Sequence, residues 1–253
     1  MLGGVFDPAL RVRAVEEVVT ALKRALNGEF VGAILKGSAL KGDFFPHWSD
    51  LDVHAFAAAP AMQGPRRPRP DVAFALQREL GAFDAASFGL GSLQVYCLSA
   101  TQYPAEWVKP IPGTYELVAG RLPDAFLDVD VAAYRAKAAQ DVDQCLAFIS
   151  SRLESMIDKP HRELAGVVRR VGIDMKVLAY AIPIVVGEDP VRAWRWPLAT
   201  ALDTAEALAL PGRPLSGFFA LVDPWPADAA RARHMLELAL NTAEQTARWR
   251  TRL

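Results

Sequence analysis

Apolar residues recur at helical spacing from Leu10 through Val12, Val15, Val18, Val19, Leu22 and Leu26, which predicts a first helix. Asp7-Pro8 supplies a cap followed by proline at the first helical position, and Asn27-Gly28 supplies the stop. The run Val31-Gly32-Ala33-Ile34-Leu35 is apolar and partly β-branched, and it ends in Lys36-Gly37-Ser38, so it reads as a buried strand entering a tight turn. After a loop with Gly42, Pro46 and Trp48, residues 51–56 form a second apolar strand, headed by Asp50 and Asp52. Residues 59–70 are rich in proline and arginine and predict an exposed loop. A helix over 71–80, a turn from Gly89 into a third strand over 93–98, an irregular stretch from Thr101 to Gly113 and a short apolar run over 115–118 follow, closed by Pro123.

Beyond about residue 128 the period is helical almost throughout. Residues 131–156 and 162–186 read as two long amphipathic segments, and Asp189-Pro190 opens a third that reaches Leu210. Pro211-Gly212 breaks the chain, 215–222 is a short apolar piece, and 228–250 is a final helix. Short connections between such helices predict an up-and-down bundle. The fold class expected is α+β: a mixed α/β domain over residues 1–125, then an α-helical bundle domain over 126–253.

The chemistry concentrates at the start of the second strand. Residues i and i+2 of a strand project from one face, so Asp50 and Asp52 point together. Two like charges side by side are tolerated when a cation sits between them. Oxygen-only ligands suit a hard ion such as Mg²⁺ or Mn²⁺, which completes its shell with water and substrate phosphates. The Gly37-Ser38 turn can offer amides and a hydroxyl to a phosphate, and Ser49 a further hydroxyl. These are the parts that phosphoryl-type transfer from a nucleotide requires.

Gly37-Ser38, eleven further residues and then Asp50-Leu51-Asp52-Val53 resemble the signature of the DNA polymerase β-like nucleotidyltransferase superfamily. The wording Gly-Ser … Ser-Asp-Leu-Asp is similar to its small bacterial branch, the aminoglycoside nucleotidyltransferases; a lysine, Lys36, stands where an apolar residue would precede the glycine. The resemblance is motif-deep over residues 30–57 and architectural elsewhere. It implies a Mg²⁺-dependent enzyme that moves a nucleoside monophosphate from an NTP, ATP being expected, to a hydroxyl of a small molecule such as an aminoglycoside, releasing pyrophosphate. Substrates would lie between the two domains, with Lys176 and Arg195 as further cations for the phosphate tail and Lys41 as another candidate. The superfamily places a third carboxylate on the next central strand, and here Gln94 stands in that place. An amide can orient a hydroxyl but cannot take its proton near neutral pH. Three explanations stay open: a base from Glu116, Asp141 or Asp143; a slow site with two aspartates; or nucleotide binding without turnover, as in a regulatory protein. An antitoxin-like nucleotidyltransferase acting on a partner protein is a further alternative.

Composition narrows the partners. A net charge of −1 argues against a protein built to grip nucleic acid, whose domains are usually strongly basic. The acceptor is therefore expected to be a small molecule, and the chain a monomer or homodimer. Cys97 and Cys145 are too few and too far apart for a disulfide framework or a zinc site, and no apolar leader or membrane-length segment is evident, which fits a cytoplasmic protein. His47 and His54 lack the spacing of a transition-metal site, although His54 shares the strand face of Asp52. Trp107, Trp194 and Trp196 are expected to pack rather than to stack on a ligand.

Overall fold

The computed structural model describes residues 3–104, 107–127, 129–154 and 156–252. By their contacts these divide into two units, Gly3–Val129 and Asp130–Leu253.

The first unit opens with α1 (Pro8–Leu26), capped by Asp7, whose carboxylate accepts from the amides of Ala9 and Leu10 at 2.8 and 3.0 Å. Ala14, Val18, Leu22 and Leu26 recur every fourth residue on this helix and are all buried. The chain continues through β1 (Phe30–Lys36), a single-turn α2 (Ser38–Lys41), β2 (Asp50–Ala57), the short strands β3 (Met62–Gly64) and β4 (Arg67–Pro68), α3 (Pro70–Leu80), β5 (Ser92–Ser99) and β6 (Tyr115–Gly120). Four strands form one sheet in the order β5-β2-β1-β6. The β1–β2 and β1–β6 pairs are antiparallel, and β2–β5 is parallel. A parallel pair needs a long crossover, and α3 lies in the segment that provides it.

Strand alternation divides the sheet into two unlike faces. Ala33, Leu35, Leu51, Val53, Ala55 and Ala57, joined by Leu93, Val95 and Cys97, pack with the α1 stripe and Leu76 of α3 into the main core of this unit. The other face carries Ile34, Phe56 and Leu98, which pack with Phe126, Trp107 and Tyr115 in a smaller aromatic cluster. Trp107 lies 4.7 Å from Tyr103 in a stacked pair, so its packing role is satisfied within the unit. Lys36, Asp50, Asp52, His54 and Gln94 share this second face.

Two expectations needed correction. Residues 59–70 are not one loop: the segment folds into a 3₁₀ turn and the β3–β4 hairpin, and Arg69 is held by Asp71 and by the Pro60 carbonyl. Proline is tolerated there because a two-stranded ribbon is all edge. The third helical segment is likewise broken, into α6 (Pro190–Ala193) and α7 (Leu198–Ala209), because Pro197 lacks the amide needed to continue a helix and serves as the cap of α7.

The second unit contains α4 (Val131–Glu154), α5 (His161–Val186), α6, α7, α8 (Pro214–Ala220) and α9 (Ala229–Arg250). Helix α5 packs against α4, α7 and α9, and nearly all of 178–184 is fully buried, as expected of a helix that is apolar on every side. Inside this bundle Arg152 of α4 meets the buried carboxylate of Asp174 on α5 at 3.4 Å. The fold is α+β, a mixed sheet unit followed by a helical one. Among the described residues no helix is long and apolar enough to cross a membrane.

Candidate active site

Strand register shows which side chains share the polar face. Across the sheet, Tyr115 of β6, Lys36 of β1, Asp52 of β2 and Gln94 of β5 occupy one continuous row. One step inward the row reads Leu117, Ile34, His54 and Tyr96; one step outward, Asp50 lies beside Ser92. Asp50, Asp52 and Gln94, proposed from sequence as one site, are thus brought together on adjacent strands. Ser92 donates its hydroxyl to Asp50 Oδ1 at 2.5 Å, which fixes that carboxylate against the edge strand.

The turn after β1 is shaped by Asp52. Gly37 has φ +80° and ψ −156°, a region that is essentially glycine-only. A Cβ placed there would lie 2.4 Å from Asp52 Oδ2. The carboxylate of Asp52 therefore sits directly over the glycine, and the missing side chain is what leaves it room. Ser38 follows as the first residue of α2 and is buried. Ser49 is also buried, but its hydroxyl accepts from the amide of Phe45 at 2.9 Å, so it braces the loop ahead of Asp50.

Burial and charge act together on the neighbours. Desolvation pulls the Lys36 ammonium below its usual range, while Asp52 opposite pushes it back up. His54 is buried, with its Nδ1 lacking a hydrogen-bond partner and its ring edge-on to Tyr96 at 5.2 Å. Desolvation, Lys36 and Arg66 together lower its pKa to about 3, so the imidazole is neutral at physiological pH. The Arg66 guanidinium lies 5.5 Å from the centre of the Tyr96 ring. Burial raises the phenol of Tyr96, with Asp52 adding to the effect. The sequence marked Lys36 only as a departure from the motif and gave neither Tyr96, Ser92 nor Arg66 a place beside the two aspartates. Ser92 stands two residues before Gln94 as Asp50 stands two before Asp52.

The remaining candidates separate. Glu116 pairs with Leu35, on the face opposite Asp52. Asp141 is ion-paired with Lys137, and Asp143 with Arg250 at 3.3 Å, both inside the helical unit. The four strands contribute no third carboxylate to the polar face. Among the described residues no group of three or more His, Cys, Asp or Glu could hold a metal. Asp50 and Asp52 are the carboxylates that the described strands bring to this face, oxygen donors that would suit a hard divalent ion only where phosphate or water completed its shell. Lys176 lies half-buried on α5, and Arg195 is exposed between α6 and α7, both in the second unit. Trp194 stacks on Tyr180 at 4.9 Å, and Trp196 lies under Arg192.

No family model matches the chain. No curated protein matches it either. Among solved structures it is similar to the spectinomycin adenyltransferase AAD(9) from Enterococcus faecialis, crystallised with ATP and spectinomycin. The likeness covers 91% of this chain and 98% of that one, at a TM-score of 0.54 and 10% identity. The chain shares the fold of that adenyltransferase. A shared fold with that enzyme is consistent with the strand-Gly-Ser turn and the paired aspartates described above.

Proposed function

We propose that this protein is a nucleotidyltransferase that moves a nucleoside monophosphate from ATP to a hydroxyl of a small, polyhydroxylated acceptor of the aminoglycoside kind, releasing pyrophosphate. The observation that carries the reading is the Asp52 carboxylate lying over Gly37, with Asp50 beside it, on this fold. The solved neighbour's ATP and spectinomycin make an NTP and a small acceptor the natural pair to test.

In this reading Asp50 and Asp52 hold Mg²⁺ or Mn²⁺, which when bound neutralises the negative charge that builds on the pyrophosphate leaving group. The amides of the Gly37-Ser38 turn and the Ser38 hydroxyl receive phosphate oxygens. Ser92 keeps Asp50 aimed at the site, and Ser49 fixes the approach of its strand. Lys176 and Arg195 are assigned to the phosphate tail on the resemblance alone. Gln94 orients the acceptor hydroxyl but does not deprotonate it, so the proton leaves to water or to the nucleotide and turnover is slow. A second reading, nucleotide binding without turnover, is favoured by the same register, because Gln94 sits beside Asp52 where an acid would act.

A pyrophosphate-release screen with labelled ATP and a panel of aminoglycosides and polyols tests both. Wild type is expected to be slow and Gln94→Glu faster by about 10²-fold or more, the usual worth of general-base assistance. Asp52→Asn should abolish release without unfolding the chain. Nucleotide binding with no release from wild type or Gln94→Glu would select the binding-protein reading. If neither form binds ATP with Mg²⁺, the assignment is wrong.

A further inference from the structure

We propose that the outer edge of β5 is a docking slot for the C-terminal end of an extended peptide chain, which adds to the sheet as a fifth strand with its carboxylate on Arg66. The slot borders the candidate site at Arg66 and Tyr96 but does not depend on the transferase reading.

The backbone of β5 carries it. This strand pairs with β2 along one side and with no other strand of its sheet. At its end the amide of Ala100 donates to the Ala57 carbonyl at 2.8 Å, toward β2, while the amide of Ser99 turns outward to the Pro65 carbonyl at 2.9 Å. Successive residues of a parallel strand alternate in this way, so Val95 and Cys97 turn their amides and carbonyls outward with Ser99. Such an edge is a template for pairing with another chain. A cavity of about 330 Å³ lies against these two residues, within the size range of ligand pockets. Ala73, Leu76 and Gln77 of α3 wall it, and Arg66, in the turn between β3 and β4, lines it as well. Phe74, the neighbour of Gln77 three residues back on α3, is 73% exposed, so apolar surface continues past the slot. Free backbone groups beside a pocket for side chains are what recognise a peptide that adds as a strand. Two observations select a chain end as the occupant. The Ser99–Pro65 bond closes the edge at the C-terminal end of β5, so an internal strand, that of a second copy included, would have to turn away there. Arg66 follows Pro65 directly, is exposed and, among the described residues, is paired with no carboxylate; its guanidinium rests on the Tyr96 ring. A peptide running parallel to β5 brings its terminal carboxylate to that guanidinium.

The test is fluorescence polarisation on the full chain, without nucleotide, using fluorescein-labelled Ser-Val-Thr-X tetrapeptides in which X is Val, Leu, Ile, Phe or Tyr. At least one free acid should bind saturably, and its C-terminal amide should bind about tenfold or more weakly, the worth of a charge-assisted hydrogen bond. N-methylation at one of the last two peptide amides, and not at the other, should weaken binding by a similar factor, because alternate amides face the edge. Arg66→Gln should remove the preference for acid over amide, Ala73→Trp should block the slot, and Arg67→Gln on the same hairpin should leave binding unchanged. All three positions are exposed, so the variants should keep their fold, which circular dichroism checks. Hydrogen exchange at the amides of Val95 and Cys97 should slow when peptide is bound. Equal binding of acid and amide, indifference to N-methylation at both positions, or unchanged binding in a folded Ala73→Trp would overturn the inference. So would saturable binding by none of the tetrapeptides below about 1 mM, or N-acetylvaline competing as well as they do, since a small carboxylate requires no added strand. None of these results bears on ATP or Mg²⁺, so the transferase reading stands or falls separately.

Discussion

Replacing Gly37 with alanine separates the cost of a backbone from the cost of a displaced carboxylate. The native φ of +80° with ψ −156° lies where residues with a side chain are strained by about 1–3 kcal/mol. The new Cβ would also fall 2.4 Å from Asp52 Oδ2, which is the free end of a side chain and can rotate aside. The collision therefore adds little to the loss of stability and a great deal to the loss of function. The sheet unit should melt lower by on the order of 10 °C, and metal-dependent nucleotide binding should fall by more than tenfold. Gly42→Ala is the control. Gly42 also has positive φ, +75°, but a Cβ there meets nothing within 4 Å. It should lose about 1 kcal/mol of stability and leave nucleotide binding unchanged. Calorimetric titration of both variants with ATP and Mn²⁺, beside thermal melts, reads the two effects apart. If Gly37→Ala binds nucleotide as wild type does, Asp52 is not poised over the turn in the way the structure shows, and the site geometry is wrong. If Gly42→Ala weakens binding equally, the loss comes from the loop as a whole rather than from the carboxylate.

Two further outcomes follow from the same face. Ser92→Ala removes the only side-chain hydroxyl beside Asp50 in the β2–β5 register, so metal-dependent nucleotide binding should weaken about 3- to 10-fold with little change in melting, a charge-assisted bond being worth roughly 1.5–3 kcal/mol at most; calorimetry checks it, and unchanged affinity would show Asp50 is held some other way. His54 is charged in the unfolded chain below about pH 6.5 but not in the folded one until about pH 3. The unfolded state thus binds the extra proton in that window, and stability of the sheet unit falls as pH drops from 6.5 toward 3. Urea melts in EDTA across that range should show the slope in wild type and a flatter profile in His54→Phe; identical profiles would refute the assignment.

The aspartate pair and its glycine turn were legible because the motif is local: strand, turn and strand are written in neighbouring residues. The long helices were legible for the same reason, since α1, α4, α5 and α9 declare themselves by period and caps. What the sequence concealed depends on register. The residues of β1 are apolar on both faces, so nothing in Val31–Leu35 says which side faces the site, and Lys36 read as a departure from a motif rather than as a neighbour of Asp52. Glu116 offered itself as a base until its pairing with Leu35 turned it to the other face. The β3–β4 hairpin was hidden because prolines and arginines that mark loops also suit a ribbon that is all edge.

The position of Gln94 on an edge strand has a consequence for descent. β5 pairs with β2 on one side and with no other strand of its sheet, so a change at Gln94 disturbs no second ladder. Glutamine and glutamate have nearly the same shape, and their codons differ only in the first base. A lineage carrying this sheet can therefore gain or lose an acid beside Asp52 without repacking its core, and under the transferase reading proposed above the strength of turnover would be an easily reversed character.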